Sequence, residues 1–299
     1  LARQYPLWKM EDLSTGADLE HTLSPAYARA LITHAGRRCA ALAAPAASAD
    51  AALTFGLIWL DYLRRRDHAP LETLSLFLPA GTETNTVLRL RHLRVNTVLY
   101  VYDKDGAEER IEIADHGNLN TTVEPWRRPA PTAPDAWLDQ LRAMDGVETI
   151  EAAPGVVSLR VRGLEFARLD DSGWHAGITR KRQARELAAV MKLASELAAA
   201  RRCGAAPNTL QRRNPEAWLE SVVRANIRLL DATLVDAPVY GQVPAMSGVE
   251  RGIIDLLAID ERGRLCVIEL KASEDPCLPL QALDYWIRVA HHAARGDFA

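Results

Sequence analysis

Asp255 in the run "IIDLLAI", and Glu269 and Lys271 in the run "CVIELKA", are charged residues set among apolar neighbours. Glu269 and Lys271 stand two positions apart, so on an extended strand both side chains point to the same face. A turn at Glu261-Arg262-Gly263 separates the two runs, and a hairpin through it brings Asp255 near Glu269. Two converging carboxylates make an oxygen-rich site for a hard divalent cation. Such an ion lowers the pKa of bound water and neutralises charge on a phosphoryl oxygen. A lysine beside it can hold the attacking water or stabilise a phosphorane-like transition state as a point charge. The plainer reading of Glu269 and Lys271 is an exposed edge pair, worth about 0–1 kcal/mol. The apolar "CVIEL" is a poor solvated edge and argues against it. Asp255 read plainly is a turn or cap residue. Glu216 and Glu220 lie on a helix ahead of the hairpin, and at least one of them reads as an ordinary solvated helix charge.

"IID" followed fourteen residues later by Glu269-Leu270-Lys271 resembles the D…(D/E)-x-K signature of the PD-(D/E)XK nuclease superfamily, with Ile254 in place of the motif proline. An upstream helix glutamate is typical of that family; Glu220 in "WLES" is the first choice and Glu216 the second. Downstream, "QALDY" places Gln281 and Tyr285 in a pattern similar to the Q-x₃-Y motif of the RecB-like branch, although two residues one helical turn apart are also an ordinary packing pair. The resemblance covers roughly Asn214–Arg295, under a third of the chain. It implies a restriction-endonuclease-like mixed β-sheet flanked by helices, Mg²⁺ or Mn²⁺ as cofactor, and hydrolysis of a nucleic-acid phosphodiester, DNA first. In the implied site Asp255, Glu269 and Glu220 serve the metal and Lys271 positions the nucleophile. Gln281 and Tyr285 orient Lys271 or the strand being cut.

The elements that must hold these residues follow from patterning. The segment 28–103 reads as β-β-α-β-α-β, the signature of an α/β layer domain, with the helix 52–66 and a second helix opening at a Thr82 cap. Residues 125–137 hold four prolines and read as a linker. A short helix, four short strands and a long helix at roughly 181–202 then form a small α+β module. Asn214-Pro215 caps and opens the next helix, which leads into the hairpin and a closing helix that carries "LDYW". The expected domains are 1–125, 135–205 and 214–299.

The first and last of these units look alike. "GRRCAALAA" (Gly36–Ala44) matches "GRLCVIELK" (Gly263–Lys271), each after an apolar strand and each leading to a helix with Leu-Asp-Tyr. In this register Asp255 faces Arg29, Glu269 faces Leu42, Lys271 faces Ala44 and Gln281 faces Ile58. The pattern reads as a duplicated α/β fold with one chemically blank copy.

Composition bounds the rest. The chain has 299 residues, 48% hydrophobic and 25% charged, with a net charge of −3. That is ordinary for a soluble protein and argues against a non-specific DNA coat. Cys39, Cys203, Cys266 and Cys277 are scattered, without zinc spacing, which points to a reducing, cytoplasmic compartment. No membrane span is expected. Arg180-Lys181-Arg182, Arg185, Arg201-Arg202 and Arg212-Arg213 are the one basic concentration, read as a phosphate-binding groove or a solvated helix face. His291 and His292 read as surface histidines, and "DKDG" at Asp103–Gly106 as a hairpin turn.

The leading expectation is a metal-dependent nuclease on DNA, with the first unit and the middle module shaping its groove or a surface for homo-oligomer formation. The alternatives are a nuclease-fold protein that binds nucleic acid or protein without cutting, and a hydrolase of RNA or modified nucleotides.

Overall fold

The computed structural model describes residues 7–34, 36–68, 71–114, 121, 135–153, 155–206, 208–247 and 250–298. The proline-rich stretch 125–137 lies mostly outside them. Backbone contacts group the chain into two units, Leu1–Thr121 with Asp275–Ala299, and Thr122–Glu274. Residues 275–299 of the expected 214–299 domain therefore group with the first unit.

The first unit is a six-stranded mixed sheet with neighbours in chain order: β1 (Trp8–Ser14), β2 (Ala28–His34), β3 (Arg37–Ala43), β4 (Thr73–Pro79), β5 (Asn96–Tyr102) and β6 (Glu108–Ile111). Helix α1 (Ala52–Asp67) connects β3 to β4 and α2 (Thr84–Leu90) connects β4 to β5, both as parallel crossovers. The expected β-β-α-β-α-β order is present, with β1 and β6 added at the ends. Leu53, Leu60 and Leu63 of α1 pack on Leu74 and Leu76 of β4. Gly56 permits the approach: a Cβ there would lie 2.8 Å from Leu76 Cδ2. The Thr82 hydroxyl donates to the Pro79 carbonyl instead of capping α2. The Asp103 carboxylate accepts the N–H groups of Asp105 and Ala107 and closes the expected β5–β6 turn.

The second unit holds two sheets. The five-stranded meander runs β11-β10-β9-β8-β7, from β7 (Val147–Ala153), β8 (Val156–Val161), β9 (Leu164–Asp170), β10 (Gly173–Ala176) and β11 (Arg182–Gln183). Its core includes α3 (Ala136–Arg142) and α4 (Leu187–Ala200). α4 begins later than the expected 181, because Arg182 and Gln183 pair with β10. After α5 (Pro215–Ala225) comes the three-stranded antiparallel sheet β12 (Tyr240–Ser247), β13 (Glu250–Ile259) and β14 (Leu265–Ile268). Pro215 opens α5 as expected. Asn214 does not cap it: it is left-handed at φ 49° and makes no side-chain cap bond.

Helix α6 (Leu278–Ala294) belongs to the first unit, where Leu280 and Leu283 join the apolar core. Its Asp284 takes a forked pair from buried Arg89 of α2 at 2.8 and 2.7 Å. His292 is not at the surface: it is buried between Asp297, 2.8 Å from Nδ1, and the Thr121 hydroxyl, 3.1 Å from Nε2. Its neighbour His291 is half-buried. Among the described residues no helix is long and apolar enough to cross a membrane.

Candidate functional site

The hairpin β13–β14 sets the site. Asp255 lies in the middle of β13, between buried Ile254 and Leu256, and is not a turn or cap residue. Asp260 makes the turn rigid: its carboxylate accepts the N–H groups of Arg262 and Arg264 and the Arg264 side chain at 2.7 Å. The strand ladder then pairs Ile259 with Leu265 and continues to Leu256 with Ile268. The expected strand through Ala272 stops there. Beyond Ile268 a side chain takes over from the ladder: the Leu270 N–H donates to Asp255 Oδ2 at 2.8 Å. In return the Glu269 carboxylate takes a hydrogen bond from the Asp255 backbone. Leu270 packs into the apolar cluster with Leu256, Val223 and Ile227. Glu269 and Lys271 turn the other way, and Lys271 Nζ lies 3.8 Å from Glu269 Oε1.

The site is short of positive charge. The Glu269 side chain is only 3% exposed. Burial first, then the neighbouring Asp255 carboxylate, push its carboxyl up from an ordinary 4.5 to about 7; Lys271 opposes this and Glu216 adds repulsion. Burial also raises the Glu220 carboxyl, with Asp255 adding to the rise, while Arg224 and a hydrogen bond from Gln242 pull it back. Asp255 is thus within electrostatic reach of both Glu269 and Glu220, and Glu216 reaches Glu269. A cluster of hard oxygen donors with excess negative charge in a half-buried place suits Mg²⁺ or Mn²⁺. Among the described residues no three His, Cys, Asp or Glu side chains form a metal cage. Mg²⁺ is commonly held by one or two carboxylates with water completing its shell, and Asp255 and Glu269 are the residues that could supply them.

Glu220 is placed by α5. Leu219 and Val223 of that helix face the apolar cluster. The Trp218 indole donates to the Arg201 carbonyl at 2.8 Å, and Ala217 lies against Gly163, where a Cβ would come 2.2 Å from its carbonyl oxygen. Glu216, Glu220 and Arg224 follow at i, i+4 and i+8 on one stripe. Glu216 is exposed.

Three residues near Glu220 have no sequence motif. Gln242 donates to Glu220 Oε2 at 2.8 Å from a left-handed backbone, φ 54°. Arg224 lies 3.8 Å from Glu220 Oε1 and 2.8 Å from Glu148 Oε2 of β7. The other oxygen of Glu148 accepts the Ser221 hydroxyl. The Glu220–Arg224 spacing is legible in sequence as a helical pair, but Gln242 and Glu148 come from distant strands and leave no local signal.

Gln281 and Tyr285 are on α6 in the first unit, with the Gln281 amide 3.5 Å from the Tyr285 hydroxyl. Gln281 also lines a small cleft of about 140 Å³ with Asp50, Thr54, Arg89 and Asp284. Two members of the basic concentration have internal duties. The Arg201 side chain, fully buried, donates to the carbonyls of Leu210, Arg213 and Arg162. Lys181 donates to the carbonyls of Glu165 and Gly177. Arg180, Arg182, Arg185, Arg202 and Arg212 are exposed. All four cysteines are free.

No protein-family model matches this sequence, and no curated protein or solved structure matches it significantly.

Proposed function

We propose that this chain is a metal-dependent nuclease of PD-(D/E)XK type that hydrolyses phosphodiester bonds in DNA. The observation that carries the reading is the clasp of Asp255 and Glu269 with Lys271 at 3.8 Å. Opposite charges in this arrangement, on the rim of an apolar core, are costly to keep for folding alone. Asp255 and Glu269 hold Mg²⁺ or Mn²⁺, with Glu220 as the third carboxylate. The bound ion supplies an activated water and neutralises phosphoryl charge. Lys271 orients the nucleophilic water and faces the charge that develops on the phosphoryl oxygens. The exposed arginines Arg180, Arg182, Arg185 and Arg202 steer the nucleic-acid backbone.

The duplication belongs to the same proposal. In β2–β3 Ala30 pairs with Ala41 and Arg29 with Leu42, while in β13–β14 Leu256 pairs with Ile268. One aligned rung coincides, Ala30–Ala41 with Leu256–Ile268, while Arg29–Leu42 has no counterpart in the β13–β14 ladder. Leu42 and Ala44, matched to Glu269 and Lys271, are buried in the first unit's apolar core. The first unit is then a copy of the fold without its charges, serving to shape the groove or a self-association surface.

A second reading, a binding protein that does not cut, is favoured by the lack of a three-carboxylate cage among the described residues and by the net charge of −3. Incubation with single- and double-stranded DNA and RNA, with Mg²⁺ or Mn²⁺ and with chelator, separates the two. Metal-dependent cleavage lost in Lys271→Ala supports the nuclease. Retention of labelled DNA without cleavage under every metal condition overturns it in favour of binding.

A further inference from the structure

The basic residues of the middle module meet around one buried guanidinium. Arg201, which follows α4, donates to the carbonyls of Leu210, Arg213 and Arg162. The β8–β9 turn and the stretch ahead of α5, far apart in sequence, are thus both held against the end of α4. Two further contacts extend the cluster. The Arg162 guanidinium donates to the Cys203 sulfur at 3.4 Å, which brings it beside Arg202. Arg213 Nη1 donates to the Thr179 hydroxyl at 3.1 Å, which brings it beside Arg180. Arg162 does this from a left-handed backbone, φ 45°, at the first position of a tight turn that favours Asn, Asp or Gly.

Like charges are crowded here. Burial lowers the Arg201 pKa, Glu148 opposes the fall and Arg162 adds to it. Burial likewise lowers the Lys181 pKa; Glu165 opposes, and Arg168 and Arg213 add to the fall. The only acids between Thr179 and Arg213 are Glu186 and Glu196, and Glu196 lies 4.0 Å from Lys192. Arg180, Arg182, Arg202 and Arg212 are exposed, and among the described residues none of them pairs with a carboxylate. In a chain of net charge −3 this is a local positive field without an internal partner. Residues 175–213 contain no Phe, Tyr or Trp, so this stretch offers no ring on which an unstacked base could lie. The cations spread over several segments, which suits the two phosphate strands of a duplex, with one charge per about 1.7 Å of its axis. We propose that this face docks the phosphate backbone of double-stranded DNA, without regard to base sequence and without metal. The inference rests on DNA as the partner in the proposed function. It adds to long-range steering a surface that holds the duplex whether or not it is cut.

Fluorescence anisotropy of a labelled duplex of mixed sequence, titrated with the full chain in chelator over a series of salt concentrations, tests this. Tm and circular dichroism confirm the fold of each variant. The parent is expected to bind, with the logarithm of its affinity falling linearly with the logarithm of salt. Arg202→Gln with Arg212→Gln is expected to lower that slope by about two and to weaken binding by about tenfold or more, equally for unrelated sequences. Arg37→Gln with Arg65→Gln removes the same charge from exposed positions of the first unit and is expected to bind as the parent does. In the parent, duplex DNA is expected to slow alkylation of exposed Cys203, read by mass spectrometry. Equal weakening by the two pairs, an unchanged rate at Cys203, or binding that needs Mn²⁺ overturns the inference. So does tighter binding of single-stranded DNA or of duplex RNA, or binding of poly-glutamate as tight as that of DNA. Parent-like binding by Arg202→Gln with Arg212→Gln, in a chain that cleaves DNA with Mn²⁺, overturns the docking face and leaves the nuclease standing. A chain that neither binds nor cleaves DNA overturns both. Weakened binding by that pair, in a chain that never cleaves, supports the docking face and overturns the nuclease.

Discussion

The Leu270 N–H donates to Asp255 Oδ2 at 2.8 Å, so the carboxylate of one hairpin strand replaces the backbone acceptor that would have continued the ladder on the other. Asp255 therefore has two separable duties, one structural and one electrostatic. Asp255→Asn keeps an oxygen for Leu270 and loses the charge. Its Tm is expected to stay close to the parent's while calorimetric Mn²⁺ binding disappears. Asp255→Ala loses both and is expected to be less stable by about 1–3 kcal/mol in urea unfolding, the cost of leaving a buried N–H unpaired.

Glu269 makes stability depend on pH in a defined direction. Its carboxyl is raised to about 7 in the folded chain from an ordinary 4.5, chiefly by burial and then by Asp255. The folded protein thus holds a proton that the unfolded chain releases between those values. Its stabilising contribution is complete below about 4.5 and is lost as pH rises through 7. Glu269→Gln abolishes this loss, so urea unfolding should show its stability gaining on the parent from about pH 5 to about pH 8. Mn²⁺ affinity of the parent should rise over the same interval as the proton leaves.

Lys271 is 3.8 Å from Glu269 and faces the same side. Lys271→Ala is expected to lower the single-turnover cleavage rate by about 10²–10³-fold, the usual effect of losing one preorganised charge at a reacting centre. Mn²⁺ binding at about pH 8 should persist, which separates a role in the chemical step from a role in holding the ion.

Arg201 tests which basic residues serve the fold. It is fully buried and donates to the carbonyls of Leu210, Arg213 and Arg162. Arg201→Met strands those acceptors and is expected to cost about 3 kcal/mol or more in urea unfolding. Arg182→Ala, at an exposed position, should leave stability unchanged and weaken binding of labelled DNA, with a smaller dependence on salt.

Asp284 makes a comparable structural test in the first unit. Its fork with buried Arg89 is the main partner of that guanidinium, with exposed Asp50 a lesser one at 3.2 Å. Asp284→Ala is expected to destabilise by about 3 kcal/mol, within the range for breaking a buried pair.

Particular residues show what could be read in advance. The order of β2, β3, α1, β4, α2 and β5 was legible because alternating and helical spacing of apolar residues is a local property. β12 was not, since "YGQVPAMS" holds a glycine and a proline that mark loops; Pro244 is tolerated there because β12 is an edge strand. β14 ends early because Asp255, fifteen residues upstream of Leu270, captures the Leu270 N–H. The same tripeptide Leu-Asp-Tyr also serves twice with different outcomes: Asp61 is an exposed partner of Arg65, whereas Asp284 holds buried Arg89. Sequence neighbours cannot distinguish those environments.

The sequence alone determined which chemical groups the hairpin carries. Asp255, Glu269 and Lys271 are close in the chain and joined by one turn. Only the tertiary structure decided how strongly those groups are perturbed and what surrounds them. Burial, and then the Asp255 carboxylate, raise Glu269, and the surroundings of Glu220 are drawn from Gln242, Arg224 and the distant Glu148. Charge interactions depend on distance through space and on exclusion of water, and neither quantity is written in the order of residues along the chain.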